Sequence, residues 1–184
     1  MKKFAFSLFI AALLASDPLI SQESETKSPK TATPPTQSTE ELEKEAQLRI
    51  AGFKLPDDVN ASLFVDSKQT QNPCALTFDN KGRMYIAEIH RWRAGVQDIR
   101  NEQQILFQDF SIETTEERLA MYQNDAKRPV DFYTEYEDRI IIAEDTNNDG
   151  RADTTSIFAD GFNDARDGPG IGLAFLNDSV YYTN

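Results

Sequence analysis

Cysteine is almost missing from this chain. The single thiol, Cys74, excludes an internal disulfide and every CxxC-type zinc or haem motif. Histidine is as scarce: His90 stands alone, so any catalytic arrangement that needs an imidazole has to be built on it. Positive charge is also short. The 19 Lys and Arg stand against 31 Asp and Glu, a net charge of -12, which argues against nucleic acid or an anionic membrane surface as partner. The apolar run Phe4 to Leu14 is too short to span a bilayer as a stable helix, so no transmembrane segment is expected in the mature chain.

What is present begins at that run. Lys2 and Lys3 precede it and the small residues Ala15 and Ser16 follow, the pattern of an export signal. Residues 1–20 are read as a signal peptide, and the mature protein as exported to the periplasm or cell envelope. Residues 21–38 are polar, proline-containing and without apolar periodicity, which reads as a disordered linker. The folded part is expected over 39–184. It opens with a short helix capped by Ser38 or Thr39, with Leu42, Ala46 and Ile50 as its apolar stripe and Gly52 as its stop.

Strand grammar dominates from there. Ala61 to Val65, Cys74 to Phe78 and Arg83 to Glu88 read as strands, with a turn at Asp79–Gly82 between the last two. Gly172 to Leu176 and Ser179 to Thr183 repeat the pattern around Asn177-Asp178, so ALTFDNKGRMYIAE and GLAFLNDSVYYTN form an internal repeat of strand pairs. Between the repeats lies the insertion His90 to Asp138, with a helix expected from about Glu116 to Asn124 behind a Thr114/Glu117 capping box. The fold class is therefore all-β, the first blade and the opening of a second in a β-propeller, with a helix-containing insertion and a short N-terminal helix. Propellers need about four or more blades, so the chain reads as the incomplete N-terminal portion of a longer protein that supplies the remaining blades.

The sharpest local motif lies in RIIIAEDTNNDGRADTTSIFADGFN, where an apolar run and a second strand flank a polar turn. Asp145, Asn147 and Asp149 alternate ahead of Gly150, with Asp153 three residues further on. Such oxygens can curl around a hard cation, which makes these four residues candidate Ca²⁺ ligands. The bidentate glutamate of helix-flanked calcium loops is missing, since Ser156 occupies its place. The competing reading is a hairpin loop whose Asp and Asn side chains bond their own backbone.

FKLPDD, ASLFV, ALTFDNKGRMYIAE, EIHRWRAGVQDIR and EDTNNDGRADTTSIFADGFN together resemble the N-terminal portion of the membrane-bound dehydrogenase family, whose members include haem-binding types. These are large exported bacterial proteins whose β-propeller is similar to glucose/sorbosone dehydrogenases. The resemblance covers about Thr39 to Asn184. It implies oxidation of a sugar or alcohol, a quinone (PQQ) as possible cofactor, and electron transfer to a cytochrome-c-like haem domain absent from this chain. On a propeller, Glu88, His90, Arg91 and Arg93 would stand near one mouth of the channel. His90 would serve as base, with Arg91 and Arg93 as the cations that hold a quinone's carboxylates. Asp160, Asp164, Arg166 and Asp167 form a second candidate cluster.

Two alternatives stay open at this point. The His-Arg-Trp-Arg run can be a structural rim, with Trp92 packed under arginine stems. The protein can equally be a non-catalytic periplasmic propeller that binds carbohydrate or protein. Cys74, beside Ala75 and Leu76, reads as a buried inert thiol. Gly168-Pro169-Gly170-Ile171-Gly172 reads as a connection between blades rather than a nucleotide loop.

Overall fold

The computed structural model describes Lys30 and residues 36–96, 98–125 and 127–184. The expected signal peptide, 1–20, lies outside the described residues, as does most of the linker at 21–38. Within that linker Lys30 pairs in parallel with Tyr136, and its ammonium binds Glu135. No helix among the described residues is long and apolar enough to cross a membrane.

The chain is largely β. Strands β1 (Pro73–Phe78), β2 (Met84–Glu88), β3 (Asp138–Glu144) and β4 (Thr154–Phe162) form an antiparallel sheet in the order β1-β2-β3-β4. Strands β5 (Gly172–Leu176) and β6 (Ser179–Thr183) form a separate hairpin. The expected repeat thus appears as two antiparallel hairpins. In the second, Asn177 and Asp178 both take positive φ, 50° and 59°, the twist that a tight two-residue turn requires.

The uninterrupted Ile140-Ile141-Ile142-Ala143 run follows from position. A central strand is covered on both faces, so it has no reason to alternate. One face collects Met84, Ile86, Ile141 and Ala143, with Phe64 and Val65 laid against it. The other collects Tyr85, Ile140 and Ile142, and there the β5–β6 hairpin adds Leu173, Phe175, Val180 and Tyr182. The rings of Tyr85 and Phe175 stack at 6.1 Å, and the Phe175 amide donates to Thr77 Oγ1 at 3.1 Å. Apolar burial on this second face, worth about 25 cal/mol per Å², is what holds the two sheets together.

Three expectations need correction. Ala61–Val65 is not a strand; it makes no ladder and serves instead as apolar cover, with the Phe64 carbonyl accepting from the Ala152 amide at 2.9 Å. Cys74 is exposed, because β1 is an edge strand, although its thiol still reaches the Gly170 carbonyl at 3.0 Å. Trp92 is 58% exposed rather than packed beneath arginines.

The helices carry their own chemistry. Helix α1 (Thr39–Ala51) starts at Ser38, whose hydroxyl accepts from the Glu41 amide while Glu41 reaches back to the Ser38 amide. Helix α3 (Thr115–Gln123) has the same box through Thr114 and Glu117. The insertion also contains α2 (Gln103–Phe110) and the single turn α4 (Asp131–Thr134).

The Gly168–Gly172 stretch does connect the two sheets, and one glycine in it is sterically obligatory. A Cβ on Gly170 would fall 1.5 Å from the Tyr182 hydroxyl oxygen and 2.1 Å from its ring carbon Cζ. Tyr182 lies against Phe162 with ring centroids 4.7 Å apart. Gly170→Ala is therefore expected to destabilise by about 1–3 kcal/mol, the usual cost of overpacking. Urea unfolding checks this. Most of the loss should disappear when Gly170→Ala is made in a Tyr182→Ala background.

Candidate functional site

The ends of β2 and β3 converge on a buried polar cluster. Glu88 closes β2 and faces Arg139 across the ladder. Its carboxylate is fully buried yet fully used: Oε1 accepts from the Gln71 amide at 2.6 Å, and Oε2 from Arg139 Nε at 2.5 Å. The same Oε2 lies 3.1 Å from His90 Nε2. An ionised carboxylate only accepts, so that ring nitrogen carries the proton. Burial pushes the Glu88 carboxyl upward, but the bonds from His90, the Gln71 amide and Arg139 outweigh it and leave it below the ordinary range.

Asp138, which opens β3, is likewise 0% exposed. Its Oδ1 accepts from the His90 and Arg91 amides at 2.8 and 2.9 Å, and Oδ2 from the Gly170 amide at 3.1 Å. One carboxylate thus ties the exit of β2 to the connection between the sheets. Arg91 completes the cluster, donating among the described residues to backbone carbonyls: Nη1 to Gly168 at 3.2 Å, and Nη2 to Tyr133 and Asp164 at 3.2 and 3.1 Å. The Arg91 carbonyl in turn accepts from the Ala94, Gly95 and Val96 amides. That tight turn holds Arg93 at a φ of 61°.

The three residues predicted for base and cation roles do not share one open surface. The His90 side chain is enclosed, Arg91 is 1% exposed, and Arg93 stands on the exposed turn. As placed, they form no base-and-cation pair around a quinone, and no step through one follows. Of the second predicted cluster, Arg166 grips Asp164 at 2.6 Å, while Asp160 lies apart on exposed β4.

The Asp145–Asp153 turn spends its oxygens locally. Asp145 accepts from the Asp149 and Gly150 amides at 3.2 and 2.8 Å, Asn147 from Asp149 at 2.9 Å, and Asp149 from Arg151 at 2.9 Å. Asp153 accepts from the Thr146 amide and hydroxyl. Gly150 sits at a φ of 90°. This is the self-bonded Asx loop, and no group of three or more His, Cys, Asp or Glu side chains among the described residues is arranged to hold a metal. Arg151 leaves the turn to pair with Glu43 of α1 and with Asp66 at 3.1 Å.

A binding-sized space lies elsewhere. Helices α2 and α3 enclose a cleft of about 710 Å³, within the range usual for small-molecule sites. Gln103, Gln104, Gln108 and Asn124 line it with amides, and Ile105, Met121 and Tyr122 with apolar surface. The Tyr122 ring stacks on Tyr133 at 3.9 Å. Among its lining residues Tyr133 donates to Asp125 at 3.3 Å, and Arg128, behind the lining, bridges Asp125 and Glu102. Arg128 holds the Glu102 carboxyl down at about 2. Burial pushes the Tyr133 phenol up.

Sequence reasoning placed a helix in this insertion but did not find the cleft. The signal for α2 was weak: Glu102 offers no side-chain cap, and Phe107 and Phe110 point outward. No curated protein and no solved structure matches the chain. Residues 45–182, three quarters of the chain, match one family, so this protein belongs to DUF7133, a domain of unknown function.

Proposed function

We propose that this chain is the opening part of an exported β-propeller of the dehydrogenase-like type, and that its α2–α3 cleft holds a carbohydrate. The observation that carries the binding reading is the cleft itself. Planar amides from Gln103, Gln104, Gln108 and Asn124 offer paired donors and acceptors of the kind that neighbouring hydroxyls require. Tyr122 adds an aromatic wall with a polar tip. The propeller reading draws on the stacking of the β5–β6 hairpin over β2 and β3, and on apolar side chains left outside: Leu76, Phe78, Ile157 and Leu176 are all exposed. Further blades stacked on these faces would cover them.

In this reading the whole protein oxidises a sugar or alcohol and passes electrons to a haem domain outside this chain. The Glu88–His90 pair, 3.1 Å apart, is the carboxylate–imidazole couple on which this reading would place the proton transfer. A second reading, a non-catalytic propeller that binds carbohydrate, is favoured by the complete enclosure of the His90 side chain.

Two measurements test this. Calorimetric titration with a panel of mono- and disaccharides should find at least one that binds, and Gln104→Ala with Gln108→Ala should weaken it about tenfold, two exposed polar contacts being worth roughly 0.5–1.5 kcal/mol each. No binding by any saccharide, or binding indifferent to both substitutions, removes the cleft from consideration. Sugar-dependent dye reduction by the native protein, abolished in His90→Gln while saccharide binding persists, supports oxidation. Binding without dye reduction supports the second reading.

A further inference from the structure

Arg91 is an enclosed cation that makes no direct salt bridge among the described residues. The residue is 1% exposed, and among the described residues its guanidinium donates to neutral carbonyls, at Gly168, Tyr133, Asp164 and Asp167. Its Nε is buried and finds no partner among the described residues. Every other buried or half-buried ionic group of the cluster is matched: Glu88 by Arg139 and His90, Asp138 by three amides. Removing a charge from water is costly unless an opposite charge and hydrogen bonds replace the lost hydration. Carbonyl dipoles and the nearby charges of Asp164 and Asp167 supply part of that replacement, but no carboxylate among the described residues bonds the guanidinium directly, and one N–H is left without an acceptor.

The same side chain lines a cavity of about 320 Å³ between α3 and the Asp164–Pro169 connection. Two more arginines line it, Arg118 from α3 and Arg166 from the connection. Each already holds one carboxylate, Asp109 at 2.8 Å and Asp164 at 2.6 Å, and so stands oriented. A guanidinium has five N–H donors, so a single carboxylate does not exhaust either of them. One carboxylate among the described residues, Asp167, lines the cavity. Burial, and then the charge of Asp164, push its carboxyl above the ordinary range, which lessens its opposition to a second anion.

We propose that this cavity binds a small-molecule oxyanion, through a carboxylate or phosphate group seated among Arg91, Arg118 and Arg166. The anion adds negative charge beside Arg91 and accepts from the donors that Arg118 and Arg166 have left over. Arginine forks suit both groups because each presents two oxygens in a plane. Tyr122 forms a wall of this cavity and of the α2–α3 cleft alike, but the proposal does not depend on carbohydrate binding there.

The test uses sodium malonate and inorganic phosphate as separate probes, titrated into the purified chain at low ionic strength. One-site binding that weakens as salt rises is expected. Arg118→Gln and Arg166→Gln should each reduce it about tenfold, the weight of one charge-assisted bond, and Arg100→Gln, whose partner is Asp98 on the exposed surface, should leave it unchanged. Malonate binding alone assigns a carboxylate ligand, and phosphate binding alone a phosphorylated one. Should a variant fail to fold, the Arg91 Nε–H resonance of the wild-type protein gives an independent readout and should move on addition of the binding probe. The proposal is overturned if neither probe binds at about 10 mM, a threshold near 3 kcal/mol. It is also overturned if binding survives both variants undiminished, or if the Arg91 resonance stays still at saturation.

Discussion

Asp138→Ala is expected to cost about 3–6 kcal/mol, since each buried amide left without an acceptor costs about 1–3 kcal/mol. Three amides lose theirs at once: His90, Arg91 and Gly170. The side chain is wholly enclosed, so water cannot reach the orphaned donors without opening the structure. These amides belong to the exit of β2 and to the connection leading into β5, so the damage should spread from the first sheet to the second. Asp138→Asn should be milder, at about 1–3 kcal/mol. It keeps Oδ1 for His90 and Arg91 but turns an NH₂ toward the Gly170 amide. Equilibrium urea unfolding gives the magnitudes. Hydrogen exchange gives the location, with protection lost first at residues 90, 91 and 170. An alanine variant within 1 kcal/mol of wild type would mean that another acceptor replaces the carboxylate.

The contrast between Asp138 and the helix caps shows where a single sequence is legible. Ser38/Glu41 and Thr114/Glu117 are local devices, complete within four residues: the second box forms as expected, and in the first Ser38, one of two candidate caps, pairs with Glu41. The hairpin Gly172–Leu176/Ser179–Thr183 forms as expected for the same reason, its turn residues lying between the strands they join. Asp138 is different. It stands 48 residues from His90 and 32 from Gly170 in sequence, and nothing beside it distinguishes an acceptor of three amides from a charge at a strand end. Cys74 and Trp92 failed in the opposite direction. Apolar neighbours suggested burial for Cys74, and arginine stems a cover for Trp92, but exposure is set by which strand becomes the edge and by where the turn after His90 leads. The Ala61–Val65 segment has strand composition and no ladder partner, because apolar cover over β2 and β3 rewards the same residues as a strand.

The candidate sites divide along the same line. The Asp145–Gly150 motif was visible because its spacing is local, and both of its readings, cation curl and self-bonded loop, were visible with it. The α2–α3 cleft was not, since it depends on two helices meeting, one of which has no side-chain cap. The His90–Arg91 pair was found by residue type, and its enclosure by Glu88, Asp138 and the 164–168 backbone could be seen only once the sheet ends had been brought together.

Glu88 carries the second large effect, and its signature is pH. Glu88→Ala should cost about 3–5 kcal/mol near neutral pH, the usual penalty for removing one partner from a buried ion pair. Arg139, His90 and the Gln71 amide would all lose their acceptor. Glu88→Gln retains the shape but not the charge, and should fall between wild type and alanine. Because the folded-state carboxyl lies below its ordinary value of 4.5, its contribution is fully present above that pH and disappears as acid carries the solution down through the folded pKa. The stability gap between wild type and Glu88→Gln should therefore be widest near neutrality and shrink below pH 4.5. Glu102 and Asp164, each held near 2 by an arginine, also weaken the fold in acid, but they do so equally in both proteins and cancel in the difference. Urea unfolding of the pair at neutral pH and at successive steps into acid resolves this. A gap that stays constant through that range would show that Glu88 acts by shape alone, and its ion pair with Arg139 would then contribute nothing to the join between β2 and β3.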